Sequence, residues 1–244
     1  MMKNKANSSI FQVSLLQGLA SGDFCGSIST GELKNHGDAG IGTFDGMNGE
    51  LIMLDGEIYR VSGDGTVGIV PDDETTPFAV VSFIDADVTE TFRDIPDFDA
   101  LERELNVLVN KNGANRFYMI RIDGIFRSMN LRSINAQKKP YRRLSEVLVN
   151  DQTFFNYENI EGTLIGIYCP PYMASLNAEG WHLHFISEDK TRGGHVLNLN
   201  INEAQFTMSA ADSFELRLPR GEMFSQLNLT DVGSAEIEKI EKNR

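Results

Sequence analysis

The sequence predicts an α/β (α+β) fold of two mixed-sheet domains with few helices, and three observations support this prediction. The chain has 244 residues, enough for one large domain or two small ones. Hydrophobic residues make up 41% and charged residues 23%, as in folded proteins and unlike disordered chains. Short strand-like segments separated by glycine outnumber the segments with helical periodicity.

The first half of the chain is predicted to combine brief helices with β-hairpins. Apolar spacing over residues 10–20 predicts a short helix that ends at Gly22, and a capping box over 29–32 opens a second helix. A longer helix is predicted over 98–110, because Leu101, Leu105 and Leu108 share one face. Strands are predicted over 50–53, 57–61, 66–70 and 78–84, with glycine turns between them.

The second half is predicted to consist mostly of strands. Residues 117–126 alternate as a strand does, whereas residues 127–152 are basic and irregular, and we interpret them as the connection between two α/β halves. This interpretation predicts an N-terminal domain over 1–148 and a C-terminal domain over 149–244. Further elements are predicted as strands over 162–168, 181–187, 195–201, 204–208 and 213–218, and as a terminal helix over 235–242.

Charge and cysteine content restrict the partners and the compartment. With 22 Lys+Arg against 35 Asp+Glu, the formal net charge is −13, which disfavours nucleic acid and anionic membrane as partners. The polar start lacks the apolar run of a secretory signal, and no stretch approaches the ~18 apolar residues of a membrane span. Cys25 and Cys169 are too few for a disulfide scaffold, so we expect two free thiols and a cytoplasmic location.

Three of the four histidines fall close together, at His182, His184 and His195. Side chains at positions i and i+2 of a strand point to the same face, so the first two project together. A polar loop then turns the chain back, and His195 begins the return strand beside them. Three converging imidazoles predict a transition-metal site, with zinc the expected ion. Three ligands leave one coordination position open, as in catalytic zinc sites.

Two alternatives compete with a catalytic zinc site. The histidines could simply line the polar face of a strand, and His36, in a distant loop, is interpreted as such a surface or structural residue. The pattern His182-X-His184-X-X-X-Glu188 also matches the core of the cupin metal motif. A cupin would carry a glycine six positions before its first histidine, where this chain has Leu176.

Several blocks of the sequence occur together in one known family. They are Gly40-Ile41-Gly42-Thr43-Phe44, Asn48-Gly49-Glu50, Thr76-Pro77-Phe78-Ala79-Val80, Gly162-Thr163-Leu164-Ile165-Gly166, Gly180-Trp181-His182-Leu183-His184-Phe185 and Gly193-Gly194-His195-Val196-Leu197. With these blocks in this order, the sequence resembles α-acetolactate decarboxylase over nearly its whole length. The resemblance implies zinc on the three histidines, on strands of the second domain near the domain interface, and suggests a homodimer.

The resemblance also implies site residues that spacing alone does not single out. Glu50, Arg132 and Glu241 are implied to be catalytic, and Thr43 is implied to lie near the substrate together with Arg132. Read without the resemblance, Glu50 is a polar strand residue, Arg132 one of several basic connector residues and Glu241 an exposed helix residue. The usual Tyr-Thr-Pro of the family is Tyr168-Cys169-Pro170 here, which is expected to change little.

The implied activity is decarboxylation of 2-acetolactate, an anionic 2-hydroxy-3-keto acid, to (R)-acetoin and CO2, as in acetoin and butanediol biosynthesis. Zinc would stabilise the enediolate left by the loss of CO2, Arg132 would clamp the carboxylate, and the glutamates would move protons. No organic cofactor is expected. The alternatives are a cupin-like metal-dependent oxygenase or isomerase acting on a small keto acid, and a binding module with a structural metal.

Overall fold

The computed structural model describes residues 9–174 and 176–229. The helices are α1 (Leu16–Ala20), α2 (Thr30–Leu33), α3 (Phe98–Asn112), α4 (Leu144–Asn150) and α5 (Glu222–Gln226). The strands are β1 (Ser9–Val13), β2 (Ile28–Ser29), β3 (Ala39–Thr43), β4 (Glu50–Leu54), β5 (Glu57–Val61), β6 (Val67–Ile69), β7 (Thr75–Thr76), β8 (Ala79–Ser82), β9 (Val88–Ile95), β10 (Phe117–Ile134), β11 (Gln152–Cys169), β12 (Gly180–Ser187), β13 (Gly193–Ala211) and β14 (Ser213–Arg217). The predicted α+β class with few helices is confirmed.

The first sheet is mixed and has the strand order β14-β1-β8-β3-β4-β5-β6. Strand β1 runs parallel to β14 and antiparallel to β8, and the other pairings of this sheet are antiparallel. Its apolar side chains alternate between two faces, as the two-residue period of a strand requires. Ile41 and Ile52 belong to one core cluster, whereas Leu51 and Met53 belong to another.

The second sheet is antiparallel and has the order β10-β11-β12-β13-β9. Strand β10 also pairs with β13, so β10 to β13 close into a ring. Helix α3 packs on this sheet through its apolar stripe, and its first turn is capped by Asp97, whose carboxylate accepts a bond from the Ala100 amide. The core between the two sheets contains side chains from both of them and from α1 and α4.

Two elements were predicted wrongly, the first of them because burial on both faces hides strand periodicity. The predicted helix over 10–20 is strand β1 followed by the short α1, since Ile10, Phe11 and Val13 are buried on both faces of the sheet. The strands predicted over 195–201 and 204–208 are one continuous strand, β13.

The predicted connector over 127–152 was also wrong. Strand β10 continues through it to Ile134, and α4 occupies Leu144–Asn150. Buried Met129 and Leu131 carry the alternation of the strand, which the surrounding basic residues conceal in the sequence. The second sheet therefore takes strands from both sides of residue 148. The division into domains over 1–148 and 149–244 stays a prediction, because sheet pairing alone does not define folding units.

The predicted terminal helix over 235–242, with Glu241, lies outside the described residues. Half of the predicted capping box over 29–32 is confirmed, because the Ser29 hydroxyl accepts a bond from the Glu32 amide at the start of α2, whereas the Glu32 carboxylate pairs with Arg217. Within residues 9–174 and 176–229, no helix combines the length and the apolar character that crossing a bilayer requires.

Candidate active site

Three of the predicted site residues form one row across neighbouring strands of the second sheet. Arg132 on β10 is the register partner of His195 on β13, which in turn pairs with His184 on β12. Directly paired residues project to the same face of a sheet, and His182 joins them two residues before His184. The closure of β10 to β13 into a ring therefore places a guanidinium next to three imidazoles.

The three imidazoles converge as predicted, and one potential ligand atom from each lies within 4.8 Å of the others. His182 Nε2 is 3.2 Å from His184 Nε2 and 3.0 Å from His195 Nδ1. Nitrogens about 2.0–2.1 Å from a tetrahedral zinc lie about 3.3 Å apart, so these separations suit one shared ion. The residues present fit a divalent metal that prefers nitrogen ligands.

A backbone contact from the first sheet fixes one of the imidazoles. The Nδ1–H of His184 donates to the carbonyl oxygen of Leu51 on β4 over 2.9 Å. A carbonyl can only accept, so the proton is on Nδ1 and the lone pair of His184 is on Nε2, toward the other histidines. Such a contact behind a metal ligand sets both its tautomer and its orientation.

Burial keeps two of these three buried histidines, His182 and His184, in the neutral form that binds metals. His182, His184 and His195 are 8%, 1% and 4% exposed. Burial, with a contribution from the Arg132 charge, lowers the pKa of His182 to about 3. Burial, followed by the neighbouring His182 and Arg132 charges, also lowers the pKa of His184, against the opposing effect of the Leu51 contact. At neutral pH both imidazoles are available as ligands without first losing a proton.

The first sheet contributes two further predicted residues, Thr43 and Glu50, which are cross-strand partners on β3 and β4. Glu50 is 5% exposed, and its Oε2 lies 3.5 Å from His184 Nε2. The Thr43 hydroxyl donates to the Gly49 carbonyl oxygen over 2.8 Å, so its oxygen is oriented as an acceptor. A carboxyl group thus lies next to the triad, with a hydroxyl beside it.

Arg132 brings a buried positive charge to the same place. It is 3% exposed, with Nη2 3.4 Å from His195 Nε2 and Nη1 3.5 Å from the Gln152 side-chain oxygen. A guanidinium offers donors in a fixed fork that matches a carboxylate. The local charge therefore suits a small anion, although the chain as a whole carries a net charge of −13.

All of these groups face one cavity that is partly open to solvent, with about 390 Å³ of empty space when its open mouth is included. Six of the seven predicted site residues line it, and the seventh, Glu241, lies outside the described residues. Glu188, the further ligand of a cupin motif, is instead exposed and lies 3.9 Å from the Lys190 ammonium.

One side of the cavity consists of apolar residues that were not predicted from the sequence. These residues are Leu16, Leu19, Met47, Phe78, Ile134, Leu144 and Leu148, together with Gly42. Apolar residues at helix or strand spacing are typical of any core, so no pattern in the sequence distinguishes those that face a cavity.

Comparison with known proteins finds relatives that match nearly the whole chain. The family model of alpha-acetolactate decarboxylase matches residues 10–231. The alpha-acetolactate decarboxylase of Methanosarcina mazei is 38% identical over 241 residues, which is 99% of this chain and 83% of that protein. The Bacillus subtilis strain 168 enzyme is 36% identical, with 98% of this chain and 93% of its own length aligned.

A solved structure extends the likeness to three dimensions. The crystal structure of alpha-acetolactate decarboxylase from Bacillus subtilis strain 168 matches with a TM-score of 0.91 and 35% identity, covering 96% of this chain and 98% of that one. The resemblance predicted from the sequence is therefore confirmed at the level of the fold and of the whole chain. The chain belongs to the alpha-acetolactate decarboxylase family.

Proposed function

We propose that this chain is a zinc-dependent carboxy-lyase that converts 2-acetolactate into (R)-acetoin and CO2. The observation that carries the proposal is the joint presence, in one cavity of a family member, of three converging buried imidazoles, a buried guanidinium and a buried carboxyl group. Each matches one need of the reaction: an acceptor for developing negative charge, a partner for the carboxylate and a carrier for a proton.

The reaction requires a place for one electron pair. Decarboxylation breaks the bond between the carboxylate carbon and the hydroxyl-bearing carbon, and the electron pair moves toward the neighbouring ketone. A proton then returns to the carbon that lost CO2, which gives acetoin. When bound by His182, His184 and His195, zinc supplies a Lewis acid for the oxygens on which negative charge develops.

Arg132 orients the substrate. Its buried fork binds the carboxylate, which places that group beside the row of histidines and fixes which bond breaks. The Thr43 oxygen, whose own proton is donated to Gly49, accepts from the substrate hydroxyl.

Glu50 carries the proton, with Glu241 as the second carboxyl group of the proposal. Glu50 is held 3.5 Å from His184 and away from bulk water, so it meets a bound substrate from one side. Delivery of a proton from a single side yields a single enantiomer of acetoin, which we propose to be R.

We further propose that the enzyme acts as a cytoplasmic homodimer and supplies acetoin to the butanediol pathway. Both cysteines, Cys25 and Cys169, are free thiols, which suits a reducing compartment. Size-exclusion chromatography with light scattering tests the dimer, and a monomer at working concentration would contradict it.

Incubation of the purified chain with racemic 2-acetolactate tests the activity. We expect acetoin of one handedness on chiral gas chromatography, loss of activity after treatment with a chelator, and recovery on addition of zinc. Activity that survives complete metal removal would overturn the Lewis-acid part of the proposal. Consumption of O2 without release of acetoin would indicate the oxygenase alternative instead.

His184→Ala tests the metal site directly. Removing one of three ligands is expected to abolish both stoichiometric zinc binding, measured by metal analysis, and acetoin formation. His36→Ala is the matched control, because His36 stacks on the Phe11 ring with centroids 3.7 Å apart and is not part of the triad. If His184→Ala retained its full zinc content, His184 would not be a ligand of the metal.

A further inference from the structure

We infer that four leucines on α1 and α4 form a steric filter for the alkyl group on the hydroxyl-bearing carbon of the substrate. Resting on the proposed function, this inference assigns the residues that limit the range of 2-hydroxy-2-alkyl-3-keto acids. The four are Leu16, Leu19, Leu144 and Leu148, and they are called the leucine wall below.

The leucine wall is the part of the cavity lining that two short helices supply. Leu16 and Leu19 are three residues apart on α1, and Leu144 and Leu148 are four apart on α4, so each pair shares one helix face. The polar groups of the cavity come instead from strands β3, β4, β10, β12 and β13. The two helices therefore contribute only apolar side chains to the cavity, whereas its polar side chains come from strands, and Met47, Phe78 and Ile134 add apolar surface from other segments.

Substrate geometry decides which group meets the leucine wall. The hydroxyl-bearing carbon is tetrahedral, with a hydroxyl, a carboxylate, an acyl group and an alkyl group. In the proposed function the hydroxyl meets Thr43, the carboxylate meets Arg132, and the acyl oxygen meets the zinc that the histidine triad would hold. The fourth substituent then points away from these groups, toward apolar surface, and the hydrophobic effect favours that placement.

The position of the leucine wall is fixed by bonds at the ends of both helices. The Leu16 amide donates to the Leu176 carbonyl oxygen over 3.0 Å, and α1 and α4 contact each other. After α4, the Asp151 carbonyl accepts from the Asn135 amide over 2.9 Å, and the Asp151 carboxylate pairs with Arg142. All four leucines are buried, so extra substrate volume meets packed side chains.

The test compares kcat/KM for a homologous series in which the 2-methyl group of acetolactate is replaced by propyl and butyl. With the zinc-loaded full chain, we expect wild-type kcat/KM to fall steeply with alkyl length, since one methylene in a tight pocket changes selectivity about 10–200-fold. Leu148→Ala and Leu144→Ala should raise the butyl-to-methyl ratio at least about 10-fold. Leu148→Val, which removes less volume, should shift the ratio in the same direction if an alanine variant fails to fold.

Val147→Ala is the matched control, because Val147 is buried on the same helix but does not line the cavity. It should lower stability without changing the butyl-to-methyl ratio. A ratio that stays within twofold of wild type in all leucine variants would overturn the inference. Failure of wild type to decarboxylate 2-acetolactate would instead contradict the proposed function. In that case the filter is tested by binding of non-reacting 2-hydroxy-2-methyl and 2-hydroxy-2-butyl acids to wild type and Leu148→Ala. The filter predicts that the substitution lowers the dissociation constant of the butyl acid relative to that of the methyl acid, and an unchanged ratio would contradict it.

Discussion

At the scale of single residues, the positions of protons decide what the site can bind. If Nδ1 of His195 faces a metal, its proton lies on Nε2, toward Arg132 Nη2 at 3.4 Å. Both groups are then donors and cannot bond to each other. They can, however, share one anionic oxygen, which makes the space next to this pair a natural place for a substrate carboxylate.

Arg132→Lys tests this arrangement. A lysine keeps the charge but loses the fork, so kcat/KM for 2-acetolactate should fall about 10–150-fold, which corresponds to the roughly 1.5–3 kcal/mol of a charge-assisted hydrogen bond. Arg121→Lys is the control on the same strand, since Arg121 pairs with Asp55 and Asp123 instead of lining the cavity. Steady-state kinetics of both variants give the two values of kcat/KM. Equal kcat/KM for Arg132→Lys and Arg121→Lys would show that Arg132 does not bind the substrate.

The two thiols should differ in reactivity. Burial, aided by the charge of Glu179, raises the pKa of the Cys169 thiol to about 12, whereas Cys25 is only half-buried. A raised pKa keeps the thiol protonated and unreactive at pH 8. Iodoacetamide should therefore label the folded chain at Cys25 alone and the denatured chain at both, as read by mass spectrometry. Labelling of folded Cys25→Ser would contradict this expectation.

Sequence patterns predicted the three histidines of the site but not the residues that lie beside them. The spacing of His182, His184 and His195 is enough to predict that they converge. The first two share one face of a strand, and a short loop brings the third back beside them. Glu50 and Arg132 approach them only through pairings between distant strands, so they were identified through family resemblance alone. Their catalytic roles stay predictions.

At the scale of elements, close strand contact makes glycine a requirement in β3. A Cβ at Gly42 would lie 2.4 Å from the Phe78 carbonyl oxygen, so any side chain there must push β3 away from β8. At Gly68 on β6 a Cβ would meet no atom within 4 Å. These two strand glycines therefore differ in what they tolerate.

Gly42→Ala is expected to lower the free energy of unfolding by about 1–3 kcal/mol, the usual cost of overpacking. Gly68→Ala should change it by less than about 0.5 kcal/mol, as is usual for surface substitutions. Urea unfolding of the two variants and wild type makes the comparison. Equal midpoints for Gly42→Ala and wild type would mean that the contact between β3 and β8 is looser than described.

Helices and strands were predicted correctly where the apolar periodicity of the sequence is plain. They were predicted wrongly where charged residues or burial on both faces obscure that periodicity. The strand at Glu57–Val61 and the helix starting at Phe98 were predicted at or near their observed bounds. Strand β10 was predicted to stop at residue 126, although it continues to Ile134. Arg127 and Arg132 look like a basic loop in one dimension, whereas in the fold one is exposed and the other faces the cavity.

At the scale of the whole molecule, the site lies where the two sheets meet. Its buried imidazoles make the free energy of unfolding depend on pH. An imidazole titrates near 6.5 in the unfolded chain, whereas the pKa of folded His182 is about 3. Between these values the unfolded state binds more protons, so the free energy of unfolding rises with pH. The contribution of His182 is complete above about pH 6.5 and is lost as the pH falls toward 3.

Chelator-treated protein should therefore lose stability from pH 6.5 to pH 4, by at most about 1.4 kcal/mol per pH unit for each such imidazole. Denaturant titrations at several pH values measure the slope. His182→Asn should have a shallower slope than wild type, because it removes one of the titrating bases. Parallel slopes for the two proteins would show that His182 does not contribute.

The fold class was predictable from the sequence because it depends on local patterns, but the topology was not. The sequence offers no local signal that β1 pairs with β14, or that β10 has partners on both edges. Those pairings depend on how apolar faces are covered in three dimensions. The division of the chain at residue 148 likewise needs an experiment on separated halves.

The pairing of β1 with β14 has a consequence for synthesis on the ribosome. Ser9 finds its partner Ser213 only after about 200 further residues have been translated. Translation proceeds at ~5–20 residues per second, so the edge of β1 that pairs with β14 stays unpaired for roughly 10–40 s. Bare strand edges attract other chains, so nascent protein is most exposed to misassembly just before residue 213 emerges.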